Sequence, residues 1–417
     1  MPVRASLACS SLHPLPDWRL ATGYYGQIRL PAWLRDVLLV VELPYPLGTR
    51  LERQNHLAQN PTSCRISAMA KKKAQHAPTV PLDRWRELYQ AAASFQILAP
   101  WHWMDDTHIF GINNEHGVRL ATVLGGMGEV FGLASYRGGA GANFLLRLRR
   151  GEFPPESPGA GFYQEALLVD FVSKKSLRKE DRAIIQDLDF QPPVRKPKLF
   201  PEFRSYKPGY VPWFIDEAEA CLLLDDLRKA VLFGELLRTN LSLYDSRQET
   251  EFPFFPASVA EPLTLDQFEW HTILPVPPPG DPPIDTPAFD LPPLLALPQP
   301  PKTAWELTAF YSPFAVNESP RPYFPKVALT VDAATGMILA FHLATINDTM
   351  GQTAAGSLIQ AIQASGYRPA VIKMDSINLI RALQPLANAL GAKLLQAKSL
   401  PMAEEGRRSL EALNNQF

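Results

Sequence analysis

The stretch "PWHWMDD" at residues 100–106 gathers Trp101, His102, Trp103, Asp105 and Asp106 into seven positions. Indole faces beside carboxylates can recognise a ligand, and carboxylate oxygens can hold a hard cation. The same residue types also serve architecture. The tryptophans would anchor a preceding helix to a sheet, and the aspartates would turn the chain into the strand-like "THIFGIN". His102, His108 and His116 follow without the one-face spacing that zinc requires, so no metal site is expected from them.

A second set of reactive types lies toward the C-terminus. Metal-dependent phosphodiester cleavage needs several carboxylates converging on magnesium, and Asp332, Asp375, Glu404 and Glu405 are the candidates. Asp375 ends the strand-like "PAVIKMD", where open α/β sheets place their ligands, and Glu404 or Glu405 opens the last helix. Asp332 instead falls at the "DAATG" turn, where its side chain would satisfy backbone amides. The preceding strand, "WELTAFY", offers only Glu306. No cofactor is expected; Mg2+ would be needed only by such a hydrolase.

A third candidate is the glycine-rich "VLGGMGEVFGLASYRGGAGA" at 123–142, which reads like a kinase phosphate loop. The lysine, His-Arg-Asp and Asp-Phe-Gly companions of that loop are missing. Gly125, Gly126 and Gly128 are therefore expected to make a tight hairpin, and Gly138, Gly139 and Gly141 to open a helix. No Gly-x-Ser-x-Gly elbow is present, and Cys221 falls within an apolar helix, where an inert thiol is expected.

The elements that would carry these residues can be read from periodicity. Trp85, Leu88, Tyr89, Ala92 and Phe95 recur at three and four, giving an amphipathic helix over 82–98. Three strands follow in an antiparallel meander, then the helix "GANFLLRLRRGE", the strand "ALLVDFV" and the helix "LRKEDRAIIQDL". Asp216 with Glu219 makes a capping box for a long helix from 217. Beyond residue 302 the pattern is βββαβαβα. The fold class is thus α+β in the N-terminal part, over 81–252, and α/β over 303–417. Between them, 253–302 reads as a proline-rich linker, because "PVPPPGDPPIDTPAFDLPPLLALPQPP" has too many prolines for helix or sheet and favours an extended spacer.

Composition bounds the partners. Lys plus Arg at 41 against Asp plus Glu at 42 leaves a formal charge of -1, which provides no whole-protein field for nucleic acid or anionic membrane. No run approaches the ~20 apolar residues of a membrane span. Three scattered cysteines suit a reducing compartment, so the cytoplasm is expected. Residues 1–68 lack sustained period, and Met69 with its short basic lead-in resembles a bacterial start. The segment 1–80 is therefore expected to be disordered, or an extension beyond the native start.

Residues 82–417 resemble bacterial proteins built from two successive domains of unknown function. The likeness is carried by "PWHWMDD", "GEVFGLASYRG", "RPYFPKVALTVDAATG" and "SLPMAEE". It implies the domain division and no particular activity. The βββαβαβα order also matches that of the ribonuclease H and integrase superfamily. The resulting expectation is a binding protein, its partner another protein, with Trp101, Trp103, Asp105, Asp106 and the exposed aromatics Tyr323 and Phe324 as the surface. The alternative is a ribonuclease H-like hydrolase.

Overall fold

The apolar spacing over 82–98 folds as an amphipathic helix, α1 (Leu82–Leu98), which buries Trp85, Leu88, Tyr89, Ala92 and Phe95. The structure is a computed structural model describing residues 80–414 apart from 127, 129, 154–157, 257–261 and 277–279. The expectations for residues 1–68 and for a start at Met69 lie outside the described residues.

Strands β1 (Ile109–Asn114), β2 (Gly117–Leu124) and β3 (Gly132–Arg137) form the antiparallel meander, followed by α2 (Gly138–Arg149), β4 (Ala166–Ser173) and α3 (Lys179–Asp187). The glycines act as hairpin residues: Gly125 and Gly128 have φ of 133° and 80°, and Gly128 N–H donates to Gly125 O. Then comes β5 (Leu199–Tyr206), which sequence periodicity did not mark because Pro201 and Arg204 interrupt it. The proline is tolerated because β5 lies at the sheet edge. The long helix α4 (Glu217–Arg238) starts at the expected box. Asp216 accepts from Glu219 N at 2.9 Å, and Glu219 accepts from Asp216 N at 3.2 Å.

Two more strands, β6 (Glu251–Phe254) and β7 (Glu269–Thr272), complete a seven-stranded sheet of order β5-β4-β3-β2-β1-β6-β7. Gly111 makes the β1–β6 pairing possible, since a Cβ there would lie 2.4 Å from the Phe254 ring. One core joins the sheet to α1, α3 and α4 around Phe95, Leu223 and Phe233, and a second joins its other face to α2 around Phe144 and Leu145.

The spacer expectation for 253–302 needs correction. Besides β6 and β7, this stretch holds a short helix, α5 (Leu291–Leu295), and is strapped to the C-terminal α/β layer. Ile284 and Leu294 are 7% and 4% exposed within that layer's core. Backbone groups tie it down as well: Ile284 N–H donates to Ala382 O, and Arg368 N–H donates to Pro298 O. Prolines remove donors but leave every carbonyl free to accept, so an extended proline-rich segment can bind along a surface that supplies N–H groups.

The C-terminal layer follows the expected order: β8 (Ala304–Tyr311), β9 (Lys326–Asp332), β10 (Ile338–Ala344), α6 (Met350–Ser365), β11 (Val371–Met374), α7 (Ile377–Leu390), β12 (Lys393–Gln396) and α8 (Pro401–Asn414). Its sheet runs β10-β9-β8-β11-β12, with β9 antiparallel to both neighbours and β11 parallel to β8 and β12. The core containing Leu358, Ile362, Leu383 and Leu386 fills one face, and α8 covers Val327, Leu329 and Val331 on the other.

Candidate functional site

Trp101 and Trp103 are half-buried and face inward. Trp101 packs against Phe95, Phe131 and Phe171 at 5.2–5.8 Å between centroids. Trp103 donates its Nε1–H to Gly234 O at 3.1 Å, and the Arg238 guanidinium lies 5.0 Å over its ring. These contacts pin the exit of α1 to α4. Asp105 accepts from Thr107 N and Oγ1 at 2.9 and 2.5 Å, and its carboxylate lies 2.8 Å from His108 Nδ1. Burial pushes the Asp105 carboxyl up, but those bonds and the His108 charge outweigh it and hold the pKa below the ordinary value. Only His102 and Asp106 of this cluster are exposed.

Tyr323 and Phe324 are not the exposed aromatics that the sequence suggested. Tyr323 is 5% exposed, bridged through its backbone to Val316 and Tyr210, and donates its hydroxyl to Glu318. Phe324 packs on Phe162 at 4.7 Å, and its N–H donates to Gly209 O. The reason is tertiary: "RPYFP" crosses to the "YKPGYVPW" loop of the N-terminal part. Arg321 completes the contact, donating from Nη2 to Ser205 O at 2.5 Å and from Nε to Val211 O at 3.1 Å. Burial pulls its pKa down to about 10.

The C-terminal acids are committed to backbone or left apart. Asp332 accepts from Ala334 N, Thr335 N and Thr335 Oγ1 at 2.8–3.0 Å, holding the hairpin as expected. Glu306, 2% exposed on β8, accepts from Met402 N and Ala403 N and so caps α8. Glu404 accepts from Leu400 N at 3.1 Å, and Glu405 pairs with Arg408. Asp375 is exposed beyond β11. Glu306 stands opposite Lys373 in the β8–β11 register; continued two residues, that register places Thr308, not an acid, level with Asp375. Among the described residues, no three His, Cys, Asp or Glu side chains form a group that could hold a metal ion.

Sequence reading missed two kinds of feature. Buried ion pairs lie under α4, where Arg119 donates to Asp226 and Asp225 at 2.8 Å and Ser135 donates to Asp226 at 2.6 Å. Their partners are about a hundred residues away in sequence, so no local pattern marks them. The second is an open groove of about 380 Å³ between α1 and α4, lined by Glu87, Gln90, Ala91, Ser94, Arg228, Val231 and Leu232. Ala91, Val231 and Leu232 share this lining with polar side chains, and Leu232 is 39% exposed.

These features describe an α+β layer and an α/β layer in which Asp332, Glu306 and Glu404 bond backbone amides, with an open groove between α1 and α4. The chain is made of two successive domains of unknown function: residues 85–254 match the first (DUF7309) and residues 291–411 the second (DUF6930). No curated protein matches it. Among the described residues, no helix is long and apolar enough to cross a membrane.

Proposed function

We propose that this protein works in the bacterial cytoplasm by binding a polypeptide partner, with the α1–α4 groove as the receiving surface. One observation carries the reading: the groove mixes Ala91, Val231 and exposed Leu232 with Glu87, Gln90, Ser94 and Arg228, the mixed apolar and polar composition of a protein interface. The commitment of Asp332, Glu306 and Glu404 to backbone amides supports binding over hydrolysis. The hydrolase reading draws on the βββαβαβα order and on Asp375 with Glu404 or Glu405 as magnesium ligands, and fold does not give function.

The test has two arms. Partner capture by the full chain is compared with capture by Leu232→Glu, whose exposed position should leave the thermal midpoint unchanged while capture falls by about tenfold or more. In parallel, Mg2+ and Mn2+ are added to the wild type and to Asp375→Asn during thermal unfolding. A ligand of the native state raises the midpoint by mass action. A metal-dependent rise lost in Asp375→Asn would overturn the binding reading in favour of the hydrolase.

A further inference from the structure

The four edges of the two sheets differ in how they discourage pairing. An exposed edge offers a row of unpaired N–H and C=O groups, and proteins blunt such edges with charge, proline or short length. β5 carries Pro201 and is partly covered by its bridge to Trp213. β7 has four residues and an exposed Glu269, and β12 has four residues and an exposed Lys393. β10 lacks charge, proline and short length, and its bulge lies at its start, between Ile338 and Ala340, leaving Ala340–Ala344 regular. It is seven residues long, "ILAFHLA", without proline or a charged Lys, Arg, Asp or Glu. Among the described residues, no strand pairs with its outer side.

The side chains of β10 add to this. A bulge between Ile338 and Ala340 puts Ile338, Phe341 and Leu343 opposite Val331, Leu329 and Val327, all on the α8 face. Ile338 and Leu343 are 51% and 42% exposed there, and Met337 beside them is 59% exposed. The regular part, Ala340–Ala344, is symmetric in character about His342. An antiparallel two-fold pairing centred on His342 sets each Phe341 against the partner's Leu343, and each Ala340 against the partner's Ala344. Directly opposed residues share a face in such a ladder, so this register is geometrically allowed. His342 meets only its own copy, and burial lowers its pKa, which favours the neutral ring near pH 7.

We propose that β10 is the interface through which a second copy of this chain binds, extending the five-stranded sheet across a two-fold axis. A second copy fits this edge because it brings Leu343 to Phe341 twice and no opposed charge. A five-residue ladder over Ala340–Ala344 buries less than the ~1,600 Å² of a standard interface, so the association is concentration-dependent.

Sedimentation velocity of the full chain, from micromolar to near-millimolar concentration, tests it. The expected result is a shift from one chain, 46.4 kDa, to twice that mass. Leu343→Lys and Leu343→Glu are each expected to remain single, with unchanged circular dichroism, because each puts like charges on the pairing edge. An equimolar mixture of the two should pair again. Ile97→Lys, at a 67% exposed position on α1, should behave as wild type. A chain that stays single throughout, a dimer indifferent to the Leu343 substitutions, or a mixture that fails to associate would each overturn the proposal.

Discussion

Arg119 is 1% exposed, and its charge is answered by Asp226, itself fully buried, and by Asp225. Removing one partner of such a pair strands the other, so Asp226→Ala is expected to cost about 3–5 kcal/mol in urea unfolding. Arg119→Met with Asp226→Leu should recover much of that loss. Glu219 supplies a pH prediction. Burial pushes its carboxyl up, but the Ser205 hydroxyl and the charges of Lys207 and Arg137 prevail, and its pKa lies below the ordinary 4.5. A depressed folded pKa means the contribution is complete above the unfolded value and is lost as pH falls through the folded one. The thermal midpoint of Glu219→Gln should therefore fall less steeply than wild type below about pH 4.5; parallel curves would refute the assignment.

Among the elements, those with a strong period were legible. The 3.6-residue spacing gave α1, and the capping pair Asp216 and Glu219 gave the start of α4. β5 was not legible, since an edge strand with Pro201 does not alternate cleanly. The strap was not legible, because its composition specifies an extended backbone and says nothing of what that backbone touches. Ile284→Ala is expected to destabilise the second layer by about 2–4 kcal/mol, as for a buried aliphatic truncation; a free spacer would show no loss. At β1, Gly111→Ala should cost about 1–3 kcal/mol through the clash with Phe254. Phe254→Ala should relieve part of that cost, giving a measurable coupling in a double-mutant cycle.

At the scale of the molecule, Arg321 is the contact whose loss should be felt furthest. Its guanidinium reaches Ser205 and Val211 across the junction of the two layers, and hydrogen bonds to a charged group are worth ~1.5–3 kcal/mol. Arg321→Ala is expected to separate one calorimetric unfolding transition into two, and an unchanged single transition would show that the junction does not couple the layers. The sequence by itself determined the elements from α1 to α3, the βββαβαβα order of the second layer, the hairpin glycines and the helix start at Asp216, because each depends on residues within a few positions of one another. Only the tertiary structure decided the candidate sites. It turned Trp101 and Trp103 inward, buried Tyr323, and assigned Glu306 to cap α8. It also opened the α1–α4 groove and, among the described residues, left the outer side of β10 without a paired strand. The physical reason is distance along the chain: what a side chain does is set by its neighbours in space, and for these residues those neighbours include elements distant in sequence.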